Sequence, residues 1–421
     1  MTPLLFLFAC KGPTEGPTFH ADVAPVLDAY CMRCHTDGGI APMSFETYDD
    51  VKTWGPAIAQ ATAARTMPPK QVTADGTCGD WADAWWMSDA EIAVLSEWVA
   101  GDMPEGKEAP RSSPPPLPTL DTTHTQRTPD FAPVAVGDQY ARYDEYRCFA
   151  TPIENLTEDM FLAGYDVSPG NPAIVHHVIG HIVDPNAPSW FDGRTNAEQM
   201  AAIDAEDDRD GWPCFSGAGE DVAYESDPMA WAPGQGATNF PDGVGVAVPA
   251  GSWIVTQVHY NLVDPANVGS RDQTDLHLRL VPPSEIDKPM FVVYLDFLLG
   301  YGDSLPAGRD EVRYRNQISL NDLGVPLSIE LVGVMPHMHA RGISQSAKIK
   351  RSDGTEECIL DVPAWDYAWQ YIYFYENPIS IEPDDLYQLT CRFDTSDATE
   401  DVLGGWGTQN EMCLNVLYVT L

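Results

Sequence analysis

Positive charge is what this chain has least of. Against 63 Asp and Glu there are 23 Lys and Arg, a formal net charge of −40 at pH 7. Nucleic acid and anionic membrane surfaces are thereby excluded as partners, because both are held by basic patches. The acids are spread along the chain rather than blocked, which reads as an acidic, solubilising surface. Long apolar runs are also lacking. Residues Met1 to Ala9 form a run too short to span a bilayer, and no later segment is long and apolar enough. Long helical periodicity is scarce beyond about Pro104. At 421 residues the chain exceeds one ordinary core, so two or three domains are expected.

What is present begins at the N-terminus. Leu7-Phe8-Ala9-Cys10 resembles a bacterial lipoprotein cleavage box, in which Cys10 is lipidated and becomes the new terminus. The run lacks the basic residues that usually open a signal peptide. Residues 1–18 are expected to be signal and tether. The expected location is that of an exported lipoprotein on the periplasmic face of the outer membrane or at the cell surface, touching membrane only through its lipid. Export places the nine cysteines in an oxidising compartment. Setting aside Cys10, Cys31 and Cys34 leaves six, an even number suited to disulfides.

Residues 19–104 read as helical. Ser88-Asp89-Ala90-Glu91 looks like a helix start, with Ile92, Leu95, Trp98 and Val99 following at helical spacing. Residues 105–130, with Pro110, Pro114, Pro115, Pro116 and Pro118, read as a linker. Beyond it the text is β-rich, as in Ser252 to His259 and Leu327 to Val334. The expected architecture is a small all-α domain followed by two all-β jelly-roll or β-sandwich domains, 131–282 and 283–421, divided near Pro282-Pro283-Ser284.

Cys31-Met32-Arg33-Cys34-His35 is a C-x-x-C-H pattern for covalent c-type haem. Its thiols form thioethers and His35 supplies one axial ligand; methionine as the second raises the potential and suits electron transfer. The 19–104 segment resembles small bacterial c-type cytochromes, which implies Met67, in Thr66-Met67-Pro68-Pro69, as that ligand. Met43 is the rival. A disulfide or zinc site at Cys31 and Cys34 is the alternative, but neither a thioredoxin-like setting nor a second ligand pair is nearby.

Other residues point to a second metal chemistry. His337 and His339 lie two apart, so on a strand both face one way and can chelate one ion. His176 and His177 are adjacent, and neighbours on a regular strand face apart; they share a metal only at a strand end or bulge. His259 ends a strong strand run. Met412 offers a thioether, and imidazole with thioether suits copper rather than zinc. Taken singly, His259 and Met412 read more readily as core than as ligands.

From about Asp144 onward the motifs are similar, in order, to those of the copper type II, ascorbate-dependent monooxygenases. The matching stretches are Asp144 to Phe149, Val175 to His177, Ala230 to Gly234, Gly243 to Gly245, Gln257 to Tyr260, Pro336 to His339, Cys391 to Asp394, Gly404 to Gly407 and Glu411 to Cys413. The resemblance implies two copper ions. One is the electron-transfer copper, on His176, His177 and His259; the other is the oxygen-activating copper, on His337, His339 and Met412. It further implies O2 as co-substrate, an unknown small organic substrate whose C–H bond is hydroxylated, and an electron donor that is an ascorbate-like reductant or a redox protein. The family's cysteine pattern is only partly present: Cys391 with Cys413 fits a family disulfide, Cys148 with Cys214 is a further candidate pair, and Cys78 and Cys358 have no assigned partner. Met335 stands where the peptide-hydroxylating branch has an arginine, and Leu414 and Val416 replace its Asn and Tyr, so a glycine-extended peptide is a poor substrate. With a haem c upstream, the expected function is a copper monooxygenase fed through haem. The alternative is an exported haem and copper electron carrier without oxygenase activity.

Overall fold

A computed structural model describes the chain from Gly16 to Leu421, apart from residues 38, 40, 70–71, 83–84, 136–142, 192, 215–216, 299–301 and 406–409. Cys10, and Trp406 and Gly407 of the Gly404–Gly407 motif, thus lie outside the described residues. The chain divides into two compact units. One comprises residues up to Pro68 with Met87–Pro115; the other comprises Pro69–Trp86 with Pro116–Leu421.

The first unit is helical. Its α-helices are Ala24–Tyr30, Tyr48–Ala63 and Asp89–Ala100. The two longer ones start on capping boxes, Thr47 with Asp50 and Ser88 with Glu91, in which each side chain satisfies a backbone N–H that the first turn leaves open. Phe19, Leu27, Phe45, Val51, Ile58, Leu95 and Trp98 form the core. Gly55 lets two of these helices approach: a Cβ there would meet Met103 Sδ at 2.7 Å and the Trp98 ring at 3.3 Å. Asp28 is buried and receives Arg111 Nε at 2.8 Å and Ser112 N at 2.8 Å. That ion pair ties residues just past Glu105, expected as free linker, into this unit.

The second unit is built from antiparallel sheets joined by one mixed sheet. A five-stranded sheet runs in the order Trp212–Pro213, Asp144–Pro152, Trp253–Asn261, Val175–Val183, Ser226–Trp231. A four-stranded sheet runs Val312–Ser319, Leu386–Phe393, Gly342–Lys350, Glu356–Val362. Both face a nine-stranded sheet that carries His124–Arg127, Asp275–Val281, Met160–Ser168 and Val244–Val248, then Lys288–Asp296, Leu414–Thr420, Ile329–His337 and Tyr373–Ile381, with Thr238–Asn239 at its side. The chain crosses between the halves at the turn Pro283–Glu285. The sheet continues across by parallel pairing of Lys288 with Val244 and Pro289 with Gly245.

Strand Leu414–Thr420 shows how the halves are fused. All seven of its residues are buried. Leu414, Val416 and Tyr418 join the core of the first sandwich, while Leu417 and Val419 join that of the second. The period of two in side-chain direction thus feeds two cores from one strand, which requires apolar residues on both faces.

Two boundaries differ from the sequence-based expectation. His124–Arg127, placed in the linker, is a strand paired with Asp275–Val281; this stretch lacks the prolines of its surroundings and can donate to a ladder. Residues 69–86, expected within the haem module, belong to the β unit. Thr73 N donates to Asp361 O at 2.8 Å, the Trp81 ring stacks on Tyr375 at 4.5 Å, and Cys78 is disulfide-bonded to Cys358. The other disulfides are Cys148–Cys214 and Cys391–Cys413.

Candidate metal centres

The adjacent histidines are brought to one side by a bulge. Along the pairing of Val175–Val183 with Trp253–Asn261, Val175 faces Tyr260 and His177 faces His259, so His176 is the extra residue. A bulge re-aims its side chain, and His176 turns to the same point as its neighbour. The three Nδ1 atoms form a triangle with sides of 3.4 Å (His176–His177), 3.2 Å (His176–His259) and 3.1 Å (His177–His259). A point equidistant from them lies about 1.9 Å from each, close to the ~2.0 Å of a metal–imidazole bond. Among the described residues this is the one group of three or more His, Cys, Asp or Glu side chains close enough to hold a metal.

Burial keeps these rings neutral. It pushes His176 down to about 4, sends His177 well below its ordinary range, and lowers His259 against the opposing pull of Asp144. Three neutral lone pairs converging at van der Waals distance repel unless a cation sits between them. Asp144 Oδ1 lies 3.3 Å from His259 Nε2 and accepts from Asn261 Nδ2 at 2.6 Å. A carboxylate on Nε2–H leaves Nδ1 as the metal-facing atom and makes it a better donor. Tyr146, the cross-strand partner of His259, stacks on it at 4.0 Å and 9°.

The second group uses the opposite nitrogens. His337 ends strand Ile329–His337, and His339 follows in the loop. His337 Nδ1 is 2.6 Å from Gln370 Oε1, and His339 Nδ1 is 2.9 Å from the Asn410 carbonyl. Both Nδ1–H groups are thereby committed, and both Nε2 lone pairs are left for a ligand. The rings stand perpendicular, 5.2 Å apart. Burial, aided by its neighbour His339, pushes His337 down to about 3; His339 is lowered by burial as well. His337 pairs with Leu414 at the end of the antiparallel ladder, which brings the segments carrying His339 and Met412 away from it as neighbours. Met412 is fully buried. Glu411 clamps the two segments: its carboxylate accepts from His339 N at 2.9 Å, Arg341 N at 2.8 Å and Met412 N at 3.3 Å. Burial pushes Glu411 up to about 7.

In the helical unit, Cys31 and Cys34 are free thiols and no disulfide joins them. Burial pushes Cys31 up to about 12 and raises Cys34, so neither is a thiolate at neutral pH. His35 N donates to Cys31 O at 3.0 Å, and the His35 ring stacks on Phe45 at 4.1 Å. His35 Nδ1 is 3.1 Å from the Met43 carbonyl, which leaves Nε2 unpaired. Met67 follows helix Tyr48–Ala63 and is half-buried.

The residues that sequence reasoning missed are the holders. Asp144, Gln370, Asn410 and Glu411 orient the imidazoles, and Tyr146 packs on one. Glu411 had a local signal in adjoining Met412, whereas Gln370 lies far along the chain from the ring it holds.

Residues 297–420 match the family model of the copper type II ascorbate-dependent monooxygenase C-terminal domain. DBH-like monooxygenase protein 2 of Mus musculus is 27% identical over 217 residues, covering 47% of this chain and 34% of that protein. Dopamine beta-hydroxylase of Rattus norvegicus is 22% identical over 294 residues, covering 65% of this chain and 43% of that protein. These matches support the family. The chain spans less than half the length of these curated relatives.

Proposed function

We propose that the protein is a copper-dependent monooxygenase that hydroxylates a C–H bond of a small organic substrate with O2, with electrons supplied through a haem c attached at Cys31 and Cys34. One observation carries this reading: a single unit holds two groups of imidazoles that burial keeps neutral, three converging Nδ1 atoms in one and, in the other, two rings with engaged Nδ1 atoms on a segment that Glu411 ties to Met412. In this reading His176, His177 and His259 hold the electron-transfer copper, and His337, His339 and Met412 hold the oxygen-activating copper. When bound, the two coppers would supply one-electron reduction and the activation of dioxygen for C–H oxidation.

The chain's own residues set the conditions. Asp144 fixes the tautomer of His259, while Gln370 and the Asn410 carbonyl do so for His337 and His339. The Met412 thioether favours the cuprous state. Met335 packs against the apolar core and offers no cation to a substrate carboxylate, which argues against C-terminal peptides. For the haem, His35 Nε2 is the free axial donor. Met67 is proposed as the second ligand, with Met43, whose backbone carbonyl is 3.1 Å from His35 Nδ1, as the rival. The disulfides fit export, and lipidated Cys10 would anchor the protein to the periplasmic face of the outer membrane or the cell surface. An ascorbate-like reductant or a redox protein would reduce the haem.

Oxygen uptake by the copper- and haem-loaded chain, screened against aromatic amines, peptides and lipids, tests the reading. Hydroxylated product matched to oxygen consumed, and lost in Met412→Ile, is expected. Redox cycling of haem and copper with no oxygen-dependent product for any substrate would replace it with the electron-carrier reading. In stopped-flow spectra, haem reduced first and never reoxidised by the copper unit would remove the haem supply.

A further inference from the structure

Residues 363–372 connect strands Glu356–Val362 and Tyr373–Ile381 without regular structure. Three of their side chains reach metal-centre residues. Trp365 Nε1 donates to the His339 carbonyl at 3.2 Å. The Gln370 amide works at both ends: Oε1 is 2.6 Å from His337 Nδ1, and Nε2 donates to the Tyr367 carbonyl at 2.9 Å. The Tyr367 ring stands edge-on to His339 at 5.9 Å. Its side chain interacts with that of Tyr146, and Tyr146 is the ring stacked on His259 at 4.0 Å. A continuous line of contacts therefore runs from His259 through Tyr146, Tyr367 and Gln370 to His337.

We propose that residues 363–372 act as a strap coupling the two centres, so that a metal ion on His176, His177 and His259 strengthens metal binding by His337, His339 and Met412. The inference rests on the copper reading above. A metal at the first centre fixes His259, and with it the ring stacked on that imidazole. Tyr146 fixed in place holds Tyr367, and Tyr367 orders a loop that has no ladder of its own. The ordering cost of Gln370 against His337 is then met before the second metal arrives, which is positive coupling without any large movement. Tyr146, Tyr367 and Gln370 are positioning residues; Gln370 is hydrogen-bonded to one proposed ligand of the second centre, His337, and the Tyr367 ring packs edge-on against the other, His339. Reciprocity requires the second centre to strengthen the first by the same factor.

The test is anaerobic titration of copper(I) into the full chain against a cuprous chelator, with and without the first centre. His176→Ala removes one ligand of that centre at a bulge and leaves the Tyr146–His259 stack in place. Tyr367→Phe removes one hydroxyl and keeps the ring. The expected result is that His176→Ala weakens copper(I) at the second centre about fivefold, the scale of one net hydrogen bond. In Tyr367→Phe the same substitution should then change nothing further. An equal effect of His176→Ala in both backgrounds, or none in either, overturns the strap. Unchanged circular dichroism of both variants keeps misfolding out of the comparison. Failure of the unaltered chain to bind copper at the second centre would bring down the copper reading itself, and is distinct from copper bound without coupling.

Discussion

Lowering the pH should unfold the metal-free protein largely through its ligand histidines, and His337 allows the effect to be worked out. Its ring is held neutral by burial, which takes it from an ordinary 6.5 down to about 3. In the unfolded chain it protonates at its ordinary value. The folded state thus binds the proton more weakly, so the stabilisation is complete above pH 6.5 and is lost as pH falls towards 3. Between pH 7 and pH 4 this one group contributes a loss of about 3 kcal/mol. That is an upper bound, because His337 is only partly buried. The perturbation is His337→Gln, which keeps a polar group beside Gln370 and removes the titration. Urea denaturation of both metal-free proteins at pH 7 and pH 4, followed by the β signal in circular dichroism, gives the comparison. The unaltered protein should lose up to about 3 kcal/mol more than the variant over this interval. Equal losses would mean that His337 is not held neutral, and the argument from a free Nε2 lone pair at neutral pH would fall.

Asp144→Asn should weaken copper binding at the three-histidine centre about tenfold, read by competition with a chelator, because the amide holds the His259 Nε2–H less strongly. Glu411→Ala strands three backbone N–H donors and should destabilise the β unit by about 3 kcal/mol or more, visible as a lower thermal midpoint. Cys78→Ser should cost about 2–4 kcal/mol and increase amide exchange in residues 72–82, while exchange in strand Leu414–Thr420 stays unchanged.

Local signals in the sequence were legible because their causes are local. The Ser88–Glu91 capping box needs only its own four residues; the spacing of His337 and His339 marked the pair, although the strand ends at His337 and His339 lies in the loop after it. The adjacent pair was different. Whether His176 and His177 could meet depended on a register shift, and that shift is set jointly with a partner strand some eighty residues on. The same distance hid Asp144, Gln370 and Tyr367, each ordinary in its own neighbourhood. Cys78 and Cys358 are 280 residues apart, and nothing near either marks residues 69–86 as leaving their helical neighbours for the edge of a β sheet. Leu414–Thr420 reads as a buried strand from composition, but that its two faces serve two different cores follows only from the parallel pairing that fuses the sheets.

Two unlike copper centres in one unit can be seen by X-ray absorption of the fully reduced chain, with copper and haem quantified on the same sample. Two coppers per chain, one haem, and a sulfur scatterer at one copper that disappears in Met412→Ile while nitrogen scattering from the other remains are expected. One copper or fewer per chain, or two coppers with no sulfur at either, would contradict the two-copper reading.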